Sequence, residues 1–110
     1  MTLTNVLGDK IRKLRKAKGL TLERLAELTE SSKSYIWELE NKKNLPRPSA
    51  EKLSRIAEHL GMTVEYFLDE GEELAEEDAA DMSFYRQYRK MDAPTKEKIR
   101  KMVKLWDDSE

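Results

Sequence analysis

The sequence contains no cysteine, a single histidine, four glycines and three prolines among 110 residues. Without thiols there is neither a disulfide framework nor a thiolate metal site. One histidine supplies no metal-ligand cluster and no paired acid and base. His59 falls on a helix whose opposite face is apolar, with no second titratable group placed beside it, so it reads as a solvated histidine. Glycine-rich phosphate loops and nucleophile motifs are missing as well, so neither an enzyme nor a cofactor is expected. No apolar run reaches signal-peptide or membrane-spanning length. No membrane association and a reducing cytoplasmic location are therefore expected.

Net charge is also nearly absent, at −1, which taken alone argues against a nucleic-acid partner. The distribution reverses that conclusion. Residues 1–69 carry 13 Lys/Arg against 10 Asp/Glu, residues 70–81 carry 7 acids and no base, and residues 82–110 carry 8 Lys/Arg against 5 Asp/Glu. An acidic connector between two basic parts masks positive surface in the total. A phosphate senses charge only within a Debye length of about 8 Å. The chain length suits one compact domain with an accessory element, and charged residues at 39% beside apolar residues at 38% fit a small helical protein.

The apolar periodicity is helical throughout. Leu7, Ile11 and Leu14 share one side of a first helix, with Lys10, Arg12 and Lys13 expected mostly outside, and Gly19 supplies its stop. Thr21 caps a short second helix, Leu22 to Leu28, which turns Leu25 and Ala26 inward. Ser31 or Ser32 caps a third, with Tyr35, Ile36 and Leu39 inward and Lys33, Ser34, Trp37, Glu38 and Asn41 on the opposite face. Two prolines in Lys42-Lys43-Asn44-Leu45-Pro46-Arg47-Pro48 make a basic loop. Ser49 opens a fourth helix carrying Leu53, Ile56, Ala57 and Leu60, which ends at Gly61. Thr63 caps a fifth that uses Val64, Phe67 and Leu68.

Residues 70–81 read as a solvated acidic linker with partial helix. Beyond it, Phe84, Tyr88 and Met91 repeat at four and three. Pro94 then opens a helix with Ile99, Met102, Val103 and Trp106 on one stripe. Two short helices cannot bury those stripes alone and need the first domain or another subunit.

A short helix, a tight turn and a second helix with an exposed polar face are the parts that place a helix in the DNA major groove. Here the chain resembles the phage-repressor-like (XRE) helix-turn-helix family, which includes the lambda-type and 434-type repressors. The resemblance covers roughly residues 6–69, with its helix-turn-helix at about Thr21 to Glu40. It rests on Leu25-Ala26, the Ser32-x-x-x-Ile36-x-x-x-Glu40 spacing, Asn41, the proline loop, and Leu53-x-x-Ile56-Ala57-x-x-Leu60-Gly61-Met62-x-Val64-x-x-Phe67-Leu68. It implies a five-helix DNA-binding domain at 1–69; with the acidic linker at 70–81 and the unpartnered stripes beyond it, read as a helical oligomerisation element at 82–110, the expected protein is all-α.

By that resemblance Lys33, Ser34 and Glu38 read base edges. Trp37 lies on the same face, where it either meets a thymine methyl or packs under the following loop. Thr21, Tyr35, Asn41, Lys42, Lys43 and Arg47 correspond to contacts with the phosphate backbone. Arg15 and Glu40 match a structural ion pair. Three positions depart from the family. Glu30 stands where a turn glycine is usual, at a cost of about 1 kcal/mol for a left-handed conformation. Ser31 replaces an apolar residue and weakens one core contact. Leu22 replaces a phosphate-gripping glutamine. The basic run Lys10 to Lys18 reads chiefly as a solvated face. The expected function is a homodimeric transcriptional regulator that represses from a palindromic operator. The alternative is an antitoxin or anti-regulator that binds a protein partner through its C-terminal helices. In either case Phe84, Tyr88, Met91, Ile99, Met102, Val103 and Trp106 are the expected dimer or partner contacts.

Overall fold

A computed structural model describes residues 6–43, 46–69 and 76–108. Seven helices make up the described residues: α1 (Val6–Ala17), α2 (Leu22–Leu28), α3 (Lys33–Asn41), α4 (Ala50–Leu60), α5 (Val64–Leu68), α6 (Glu76–Lys90) and α7 (Ala93–Asp108). Side-chain caps set where they begin. The hydroxyls of Thr21, Ser32, Ser49 and Thr63 accept the amides of Arg24, Tyr35, Lys52 and Tyr66 at 3.0–3.1 Å, satisfying donors that have no partner within the helix. Ser32 rather than Ser31 is the cap of α3. Two glycines set where helices end. At Gly61 (φ 74) the amide of Met62 returns to Ala57 O at 3.0 Å, and at Gly19 (φ 69) the amide of Leu20 returns to Arg15 O at 3.0 Å. Both are left-handed closures in which a side chain is strained.

The core is assembled from Ile11 and Leu14 of α1, Leu25 and Ala26 of α2, Ile36 and Leu39 of α3, and Leu53, Ile56, Ala57 and Leu60 of α4. Leu7 and Tyr35 are only partly buried against it. In α5 the expected set changes, since Phe67 is buried and Val64 partly so, but Leu68 is exposed and Tyr66 takes the inward place. The Tyr66 ring meets the Phe67 edge at 5.5 Å.

The cause of that exchange also corrects the reading of Lys10 as an outward residue. Lys10 is 1% exposed. Its ammonium donates to Tyr66 O at 2.6 Å and to Asp69 O, and lies 4.4 Å from the centre of the Tyr66 ring. Carbonyl oxygens at the end of α5 thus accept from the buried ammonium, where the negative end of the helix dipole offsets the cost of burying it.

Residues 76–81 form the start of α6, while residues 70–75 lie outside the described residues, as do Asn44 and Leu45 of the basic loop. α6 packs along α1, with Ala79 and Ser83 buried and Ser83 Oγ donating to Leu60 O at 2.7 Å. An acidic turn forms helix here because two small residues, four apart, let the backbone settle against the five-helix unit. α6 thus runs unbroken across residue 82. Among the described residues no helix is long and apolar enough to cross a membrane.

Candidate nucleic-acid interface

α3 is braced from behind. Arg15 grips Glu40 with two parallel bonds, Nε to Oε2 at 2.6 Å and Nη2 to Oε1 at 2.9 Å, and its Nη1 donates to Leu20 O at 2.9 Å. Glu40 is 3% exposed and Arg15 9%, so each charge is compensated in a nearly dry place where losing one partner is costly.

With Ile36, Leu39 and Glu40 buried, the other face of α3 is left outward. Lys33, Ser34 and Trp37 are exposed there, Trp37 at 48%. Lys33 Nζ lies 3.7 Å from Glu23 Oε2 of α2, and Glu38 Oε2 lies 2.8 Å from Lys42 Nζ one turn on. Such exposed pairs are weak, so they hold the charged tips of this face only loosely. At that exposure Trp37 is not a core residue. Its carbonyl accepts Asn41 Nδ2 at 2.8 Å, so Asn41 closes the last turn of α3.

Around this face, Thr21 at the start of α2 and Lys42, Lys43 and Arg47 after α3 are exposed. Tyr35 is half-buried against the core, and burial pushes its phenol up from the ordinary value, keeping it a neutral hydrogen-bonding group. The ten candidate nucleic-acid residues thus fall on α3 and its two flanks.

The turn between α2 and α3 retains the left-handed geometry despite its residue. Glu30 has φ 55, and Ser31 N donates to Ala26 O at 2.8 Å. Buried Thr29 donates its hydroxyl to Leu25 O at 2.7 Å. Ser31, which stands where an apolar residue was expected, accepts Lys52 Nζ with its hydroxyl at 2.8 Å. Lys52 and Arg55 of α4 both reach this turn, which their sequence neighbourhood does not signal because the partners lie more than twenty residues away.

The C-terminal candidates separate into two groups. Tyr88 joins the helices, stacking on Phe84 with centroids 6.3 Å apart, accepting Arg100 Nη1 at 2.7 Å and lying under Lys96 Nζ at 5.6 Å. Met91 and Ile99 are half-buried. Phe84, Met102, Val103 and Trp106 are exposed, with Leu105 beside them.

A family profile described as helix-turn-helix matches residues 11–67. Among solved structures, SinR, "the master regulator for biofilm formation", in complex with DNA is 33% identical with a TM-score of 0.53, over 57% of this chain and 98% of that one. The clp gene regulator ClgR from Corynebacterium glutamicum is 27% identical with a TM-score of 0.54, over 96% and 94% of the two chains. The SinR/SinI protein complex is 25% identical with a TM-score of 0.58, over 94% and 99%. No curated protein sequence matches significantly. The chain belongs to the helix-turn-helix family, of lambda-repressor-like type, whose members are transcription regulators and not enzymes.

Proposed function

We propose that the protein is a dimeric, sequence-specific DNA-binding regulator of the cytoplasm that represses by occupying a palindromic operator. The observation that carries this reading is the outward face of α3, where Lys33, Ser34, Trp37 and Glu38 stand clear of the core on a helix braced by Arg15 and Glu40. In the major groove Lys33 donates to guanine O6 or N7, Ser34 bonds a base edge, Trp37 meets a thymine methyl and Glu38 accepts from a cytosine amino group. Thr21, Tyr35, Asn41, Lys42, Lys43 and Arg47 take the phosphates and fix register. Similarity to SinR, solved with DNA, supports the same use.

One recognition helix covers only a few base pairs. A two-fold pair of them reads half-sites about 34 Å apart. In this reading the apolar face of Phe84, Met102, Val103 and Trp106 joins the two chains, with Tyr88, Met91 and Ile99 supporting it.

Selection of binding sites from random duplexes tests the reading. Lys33→Ala should change the preferred sequence, whereas Lys43→Ala should weaken all sequences and flatten the salt slope by about one unit. Equal, sequence-independent loss from both variants would remove Lys33 from base reading. For the dimer, removal of residues 93–110 spares α6, whose loss would strip α1, and should yield monomers by mass in solution. The exposed face of α7 and the similarity to the SinR/SinI complex favour a second reading, an anti-regulator whose C-terminal helices take a different protein. A full-length chain that stays monomeric at high concentration would select that reading.

A further inference from the structure

Lys52 is outside the proposed DNA contacts and outside the hydrophobic core. It lies in the first turn of α4, three residues beyond the Ser49 cap, and its side chain crosses to the α2–α3 turn. All three of its donors are used there, at 2.9 Å to Thr29 O, 3.0 Å to Glu30 O and 2.8 Å to Ser31 Oγ. One turn later Arg55 places a guanidinium nitrogen 3.3 Å from the Glu30 carboxylate while holding Glu51 at 2.8 Å. The backbone and the side chain of Glu30 are therefore both held from α4. Among the described residues Glu30 is the only non-glycine with positive φ.

These contacts have one physical consequence. The carbonyls ending α2 carry the negative end of its dipole and lack donor partners within the helix, so an ammonium suits them. A left-handed non-glycine residue persists only where its surroundings over-determine it. α3 begins at its Ser32 cap, immediately after the clasped atoms. We infer that Lys52 is a positioning residue of the interface: acting from α4, it fixes the α2–α3 turn and so the angle at which α3 presents Lys33, Ser34 and Trp37. It does with a side chain what a turn glycine does with its backbone. The inference rests on the DNA-binding reading above and has a separate readout in the turn itself.

The test is Lys52→Met, which keeps the stem and removes the ammonium. Affinity for the selected operator and for an unrelated duplex is measured across a salt series, and mass and helix content are checked in parallel. The operator-to-unrelated ratio should fall about tenfold, as for a poorly seated base contact, with the salt slope unchanged. Adding Glu30→Gly should restore most of the ratio, because glycine holds φ 55 unaided. Amide exchange at Thr29, Glu30 and Ser31 should quicken relative to α4 in the same protein. An equal loss on both duplexes with a salt slope lower by about one unit would make Lys52 a phosphate contact instead. An unchanged ratio would likewise overturn the inference. If no duplex is preferred even by the unmutated protein, the DNA reading fails, and unchanged exchange at the turn would then reject the clasp independently. Ser31→Ala removes one acceptor only and should act in the same direction more weakly, which covers the case of a Lys52→Met chain that does not fold.

Discussion

α4 and α7 carry the same apolar spacing. Leu53, Ile56, Ala57 and Leu60 of α4 and Ile99, Met102, Val103 and Trp106 of α7 each recur at three, four and seven. The first set is at most 3% exposed, enclosed by α1, α2 and α5. In the second, Met102, Val103 and Trp106 are 60%, 54% and 74% exposed. An amphipathic stripe thus specifies a helix and a face that must be covered, but not whether the cover lies in the same chain. α6 stands between these cases. Its Ala79 and Ser83 side is closed against the first unit, while Phe84 and Tyr85 on its outer side are open.

The largest effect that tests this contrast is expected in α4. Ile56→Ala should cost about 2–5 kcal/mol in denaturant unfolding, since a fully buried side chain leaves a cavity. A loss below 1 kcal/mol would mean the α4 stripe is no more enclosed than that of α7. Next, Gly61→Ala probes whether α6 belongs to the first unit. An added Cβ would sit 2.3 Å from Ser83 Oγ at a φ of 74, so a loss of about 1–2 kcal/mol is expected from backbone strain. Faster amide exchange in α6 should accompany that loss as the helix lifts. Smaller still, Met102→Ala should leave monomer unfolding within about 0.5 kcal/mol while lowering the mass in dilute solution. A stability loss comparable with that of Ile56→Ala would show that α7 is buried within its own chain.

The smallest effect concerns the start of α7. Asp92 accepts the Thr95 hydroxyl and the Thr95 amide, the latter at 2.9 Å, and these bonds hold its carboxyl below the usual value of 3.8. A carboxyl lowered in the folded state contributes stability that is present above its unfolded value and lost as pH falls through the lower folded one. Acidification across that window should therefore fray the first turn of α7 and leave α4, capped by Ser49, unchanged. Asp92→Asn, which cannot titrate, should abolish the pH dependence in helix content or in Thr95 amide exchange.

Much of the fold was legible from local chemistry. Thr21, Ser49, Thr63, Gly19 and Gly61 mark helix ends through bonds that span only a few residues, so sequence order is enough to find them. The outward face of α3 was legible for the same reason, since helical spacing alone separates Ile36 and Leu39 from Lys33, Ser34 and Trp37. Lys10 shows where such reasoning stops. Its partners are the carbonyls of Tyr66 and Asp69, more than fifty residues away, and a lysine carries no mark of the acceptors that will surround it. Glu30 was recognisable as an ill-suited turn residue, but the Lys52 and Arg55 contacts that hold it come from another helix. Residues 76–81 read as acidic connector because their charge is visible in composition, whereas the close approach of Ala79 and Ser83 to α1 and α4 is not.

By itself the sequence determined the helical periods, the caps and stops, the segregation of charge and a polar face on the third helix, because each depends on residues within about two turns. Tertiary structure decided which stripes found a partner in this chain, which lysines came to bridge distant segments and how the α2–α3 turn tolerates a glutamate. Those outcomes depend on atoms brought together from distant segments, and neither distance nor burial is a local property of the chain.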